Sequence, residues 1–213
     1  MKPMTPDDYI TAARVPETLK PQSFGLWTIK RVSLDRMRNP PSPFASLNFQ
    51  LKVGFRSYTL LLRQTMATLH LRDGEVVMED SARELRKHLP IWLNAEGRVL
   101  VTGLGLGCVV RGLLASPRVT QISVVEIDPQ IIRVVGHEFC SNPRVRLIRG
   151  DAFKVQLRDD FDFAWHDLWT EGEPHLQVLH SELLQRFHSQ AKRQGAWELP
   201  RWVKRQSPEW VLR

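Results

Sequence analysis

The chain has 213 residues, 42% of them hydrophobic and 25% charged. That balance suits one soluble globular domain with some length to spare, and excludes wholesale disorder, a collagen-like repeat or a large second domain. Its two cysteines, Cys108 and Cys140, form no disulfide framework and lack zinc-type spacing, so buried free thiols and no metal site are expected. No apolar run reaches the roughly 18–20 residues of a membrane-spanning helix, and the opening MKPMTPDDYI has no apolar signal core, so the expected protein is cytoplasmic and makes no membrane contact.

The formal net charge of +7 is concentrated at the ends. Residues 1–70 hold ten Lys/Arg against four Asp/Glu, and residues 195–213 hold four against two. A basic arm of this kind suits an anionic partner, nucleic acid included, although solubility alone also accounts for it.

In chain order, residues 1–45 read as an irregular arm, because prolines at 3, 6, 16, 21, 40, 41 and 43 interrupt helices. Residues 47–53 alternate apolar and polar like a strand, and runs 69–72 and 75–78 flank Asp73-Gly74, a two-residue hairpin signal. Residues 1–80 are therefore assigned to an arm with a small antiparallel β extension, whose open edge suits pairing with a second copy as a homodimer. A helix over 81–94 carries Leu85, Leu89 and Trp92 at helical spacing and is disturbed by Pro90.

From 81 to 213 the expectation is an α/β domain built on a doubly wound, mostly parallel sheet. Short apolar strands at 99–102, 122–126, 145–148 and 161–165 alternate with helices at 107–116 and 129–137. A longer helix over 173–193, lined by Leu176, Leu179, Leu183, Leu184 and Phe187, precedes a last edge strand before Pro200.

The chemistry concentrates after these strands. Gly103, Gly105 and Gly107 let a strand turn sharply into a helix and let a ligand approach bare backbone at the helix's positive end. A dinucleotide fingerprint would place glycine where Cys108 stands, which weakens an NAD reading and leaves it open. Glu126 closes the second strand, 23 residues after Gly103, where an acid can accept both hydroxyls of a ribose. Asp128, before Pro129, reads as a helix cap. Asp151 and Ala152 follow the third strand, where a carboxylate can accept the exocyclic amine of adenine beside a small neighbour; capping is the rival role for Asp151.

In this order, Gly103-Leu-Gly-Leu-Gly107, Glu126, Gly150-Asp-Ala152 and the run ending at Asp167 resemble the class I S-adenosylmethionine-dependent methyltransferases, over roughly 58–194. With the Asp73-Gly74 hairpin they resemble more narrowly the spermidine synthase-like branch. The resemblance implies S-adenosylmethionine as cofactor, held by Gly103, Gly105, Gly107, Glu126, Asp151 and Ala152. It further implies Asp167 as the active-site carboxylate, a base or a group that orients the acceptor. Trp165 and Trp169 either wall an acceptor pocket or fill the core, and strand alternation sends His166 to the face opposite Asp167.

The chain departs from the polyamine synthases at Leu106, at Ser81-Ala-Arg-Glu-Leu85 and at Thr170, positions where acids and a Tyr-His-Glu cluster would hold a cationic amine. The methyl acceptor stays open. An aminopropyltransferase and a non-catalytic scaffold of the same fold stand beside the methyltransferase, and little length follows the fifth-strand position for a closing hairpin.

Overall fold

The computed structural model describes residues 4–34, 56–64, 74–168, 176–197 and 203–204. Its first element, α1 (Pro6–Ala12), is a helix inside the supposedly irregular arm. Proline at the first helical position lacks only an N–H that would be unpaired there anyway. The Thr5 hydroxyl accepts the Asp8 N–H at 3.3 Å, while the Asp8 carboxylate accepts the Thr5 N–H at 2.7 Å, a reciprocal cap.

The arm then supplies strands β1 (Gln22–Phe24) and β2 (Trp27–Ser33). With β3 (Ser57–Arg63) and β4 (Glu75–Glu79) they form a four-stranded antiparallel sheet in the order β1-β2-β3-β4. Strand β4 pairs with β3, Arg63 opposite Glu75, a pairing the sequence reading did not include. The runs 47–53 and 69–72 lie outside the described residues. Buried Asp80 fastens this sheet to the arm, accepting backbone N–H bonds from Val15 (2.9 Å) and Thr59.

Residues 81–94 form two short helices, α2 (Ala82–Lys87) and α3 (Leu89–Asn94), rather than one. Pro90 cannot continue a helix that has already used its preceding turn, and it begins the second instead. The central sheet follows: β5 (Gly97–Thr102), α4 (Cys108–Ala115), β6 (Val119–Glu126), α5 (Pro129–Val134) with a 3-10 turn at Gly136–Phe139, β7 (Val145–Arg149) and β8 (Phe161–His166). Helix α6 (Leu176–Arg186) stops before the expected 193, because strand β9 begins at Ala191 (Ala191–Ala196) and takes the place beside β8. A two-residue strand, β10 (Val203–Lys204), pairs antiparallel with β9.

The strand order is β10-β9-β8-β5-β6-β7, parallel from β9 to β7. This is a doubly wound, Rossmann-like arrangement, with its ligand edge at the strands' carboxyl ends, around β5 where the winding reverses. Both faces are dry. Val99 and Val101 of β5 join a core with Tyr9, Ile29 and Trp92, whereas Leu100 joins Val125, Phe161, Leu183 and Phe187 on the other side. Such two-sided burial explains why these strands read as continuous apolar runs. Trp92 crosses from α3 onto α4 and donates its indole N–H to the Val109 carbonyl at 3.1 Å, where Gly112 leaves room for its ring. Among the described residues no helix is long and apolar enough to cross a membrane.

Candidate functional site

A cleft of about 340 Å³ opens at the carboxyl ends of β5, β6, β7 and β8, within the roughly 300–1,000 Å³ typical of small-ligand sites. Six of the seven residues selected from sequence line it: Gly103, Gly105, Glu126, Asp151, Ala152 and Asp167. They come from four separate strand ends. Gly107 stands back, capping α4 in a left-handed conformation (φ 78°), and a Cβ there would meet the Phe139 ring at 2.8 Å.

The glycine turn is a backbone cradle. At Gly103 (φ 90°) a Cβ would overlap the Asp167 carbonyl, so a side chain is excluded by both conformation and space. Arg111, buried in α4, fixes the loop from behind: it donates to the Leu106 carbonyl at 2.8 Å and grips both carboxylate oxygens of Glu138 at 2.8 and 2.6 Å.

Glu126 is 9% exposed. One of its oxygens accepts the Leu104 N–H and the other the Asp128 N–H, both at 2.8 Å. Burial raises its pKa, and these backbone donors oppose the rise. Each carboxylate oxygen keeps a further acceptor direction, so the group can also receive ligand hydroxyls. Asp128 caps α5, accepting the Gln130 N–H at 2.7 Å, and its second oxygen accepts the Trp27 indole N–H at 2.8 Å. Asp151 accepts the Phe153 N–H at 2.9 Å, a bond that lowers its pKa, and lies 3.1 Å from Lys154. It thus caps a turn over 152–154, not the helix expected there, alongside its position on the cleft.

Asp167, 12% exposed at its side chain, ends the β8 rim. Burial, reinforced by the charge of Glu84, raises its pKa to about 8, so it carries a proton at neutral pH. Beside it, His88 Nε2 lies 3.9 Å from Asp167 Oδ2, and burial holds this histidine neutral, down to about 3. Neither ring nitrogen of His88 has a hydrogen-bond partner among the described residues. Glu84 also lines the cleft, paired with Lys87 at 3.2 Å and accepting the Trp197 indole N–H at 2.7 Å. His166 turns the other way, its ring between Thr102 Oγ1 (3.0 Å) and Gln194 Oε1 (3.2 Å). Trp165 is core rather than cleft wall; Trp169 and Thr170 lie outside the described residues. Cys108 is a buried thiol, whereas Cys140, expected to be buried, is exposed.

Sequence reasoning missed one whole wall. Trp27, Leu61, Arg63, Val77 and Met78 of the antiparallel sheet face the cleft. The alternation from Trp27 through Ile29 was the available signal, hidden by the arm's prolines.

No protein-family profile matches the chain. A 77-residue stretch is 29% identical to ribosomal RNA small subunit methyltransferase A of Geobacter metallireducens, covering 36% of this chain and 27% of that protein. A 68-residue stretch is 40% identical to the protein of the same name from Pseudomonas syringae pv. tomato, covering 32% and 22%. The matches thus span about a quarter of those relatives' length. Among solved structures, the 23S rRNA methyltransferase ErmE superposes with a TM-score of 0.41 at 17% identity, over 53% of this chain and 43% of that one.

Proposed function

We propose that the chain binds S-adenosylmethionine in this cleft and transfers its methyl group to an RNA acceptor. The observation that carries the first half is the convergence of Gly103, Gly105, Glu126, Asp151, Ala152 and Asp167 on one cleft of nucleoside size. The residues fit the cofactor: a side-chain-free turn for close approach, an acid with spare acceptor capacity for the sugar, and an apolar floor at Ala152 and Val125 for the base. When bound, this cofactor supplies a methyl group already activated by its sulfonium, so alignment and exclusion of water are the protein's main tasks.

Glu126 receives the ribose hydroxyls in this reading, and Asp151 meets the adenine edge. Asp167, protonated at neutral pH, orients the acceptor by a hydrogen bond; above about pH 8 it is ionised and able to take a proton from it. The antiparallel sheet, with Trp27, Leu61 and Val77, covers the cleft and keeps water out.

The RNA half is supported by the names of the two relatives and by the basic excess in the first 70 residues. Aminopropyl transfer is disfavoured: Leu106, where the polyamine enzymes carry an acid, is buried and apolar. Calorimetry with S-adenosylhomocysteine tests the cofactor reading; binding is expected, and its loss in Glu126→Ala. A folded protein that binds neither this ligand nor S-adenosylmethionine would overturn it. Transfer of labelled methyl to RNA, with RNA retention that weakens steeply as salt rises, tests the acceptor. Cofactor binding without transfer to any RNA, protein or small-molecule panel would favour the scaffold instead.

A further inference from the structure

The strand β4 turns one more side chain toward the cleft than a regular strand would. Leu61 stands opposite Met78 and Leu62 opposite Val76, so Val77 is an extra residue that forms a bulge. Val77 and Met78 both line the cleft, whereas neighbours on an unbroken strand point to opposite faces. The bulge aims Met78 so that its Sδ accepts the Leu106 N–H at 3.2 Å. The same sulfur lies 2.5 Å from where a Cβ on Gly105 would stand.

Other amides of the loop have firmer partners. Gly103 donates to the Val125 carbonyl, Gly107 to the Leu104 carbonyl, and Leu104 to the Glu126 carboxylate. A thioether is a weak acceptor on a flexible, unbranched side chain. Among these acceptors the Met78 sulfur is the weakest, so the Leu106 N–H is held more loosely than those of Gly103, Leu104 and Gly107. It lies just before α4, whose N-terminus has no side-chain cap and whose dipole favours an anion.

We propose that Met78 is a displaceable cap on the glycine loop and sets how strongly the cleft holds the carboxylate-bearing tail of its ligand. The inference rests on the nucleoside-binding reading above. A carboxylate oxygen makes a charge-assisted bond to an amide, roughly twice as strong as a neutral one, and replaces the sulfur at Leu106. While the cap is in place, part of that gain goes to moving Met78. The sugar end, at Glu126, is unaffected by the exchange.

Two probes separate the effects: S-adenosylhomocysteine, which has the amino-acid tail, and 5'-methylthioadenosine, which has the same nucleoside and thioether but no carboxylate. Their dissociation constants are measured by calorimetry for the wild type and Met78→Ala. The expected result is a gain of about tenfold for S-adenosylhomocysteine, with methylthioadenosine changed by less than about twofold. If Met78→Ala does not fold, Met78→Leu keeps the volume, removes the acceptor, and carries the same test with a severalfold gain. Equal changes for both probes, or no change for S-adenosylhomocysteine, would overturn the role of Met78 alone. Failure of both probes to bind the wild type would instead overturn the nucleoside reading, and this inference with it.

Discussion

Glu126 accepts the Leu104 N–H at 2.8 Å across the gap between two parallel strand ends, so the acid assigned to the ribose also holds the glycine loop. Its other oxygen takes the Asp128 N–H. Glu126→Gln leaves one oxygen to accept and turns an NH2 donor toward the second amide. An unpaired buried donor costs about 1–3 kcal/mol, so chemical denaturation should record a loss in that range, with S-adenosylhomocysteine affinity falling at least about tenfold. A stable variant with unchanged affinity would mean that Glu126 serves the loop and not the ligand.

Asp167 makes stability depend on pH with a definite sign. The unfolded chain releases this proton near 3.8, while the folded protein keeps it to about 8. Between those values the folded state binds more protons, so its stability falls as pH rises from about 4 to 8 and is level above. His88 and His166 act oppositely. Burial lowers them to about 3 and about 4 from 6.5, so their neutral forms favour the fold above about 6.5 and that advantage is lost as pH falls. Asp167→Asn removes only the first dependence. Its stability advantage over the wild type should grow from pH 4 to pH 8 and then stay constant in denaturation series; a difference independent of pH would refute the proton on Asp167.

Arg111 is the clamp behind the loop, and its two partners differ in exposure. Removing one member of a buried ion pair typically costs about 3–5 kcal/mol, but the Glu138 side chain is 32% exposed and can rehydrate. Arg111→Ala should therefore cost about 2 kcal/mol, mostly from the abandoned Leu106 carbonyl. Glu138→Ala should cost more, about 3 kcal/mol, because it leaves the 8%-exposed Arg111 guanidinium without its counter-charge although that carbonyl is kept. Thermal melts of both variants check the order, and the reverse order would show that the loop contact, not the ion pair, dominates.

The central sheet was legible because its middle strands are dry on both faces. Runs such as 99–101 and 163–165 are apolar without interruption, and glycines with positive φ mark the turn after β5. The cradle and the acids were legible for a related reason: in a parallel sheet every strand's carboxyl end reaches the same rim, so position along the chain translates into position in space. The wall formed by Trp27 and Met78 was not. Which strand pairs with β4 is decided by contacts between segments, since Arg63 and Glu75 are opposed only after a connection whose length hides the pairing. Prolines misled at Pro6 because they start helices as readily as they stop them. Nothing local announces the bulge that turns Met78 inward.

The covering sheet is tied to the rim after β6 by a bond between the Trp27 indole and Asp128 Oδ2, with the Arg63 guanidinium stacked over the indole 5.2 Å from its centre. Asp128 caps α5 through its other oxygen, so the two duties are separable. Trp27→Phe keeps an apolar ring and removes the donor, and should cost about 1 kcal/mol. Asp128→Ala loses the cap as well, for a further roughly 0.5–2 kcal/mol. In a double-mutant cycle the pair should couple by about 1 kcal/mol, because only their shared bond is counted twice. Methylthioadenosine affinity should fall severalfold in Trp27→Phe, since the sheet that closes the cleft is tied to the rim less firmly. Coupling near zero would mean that the sheet is held over the cleft by apolar packing at Leu61 and Ile29 alone.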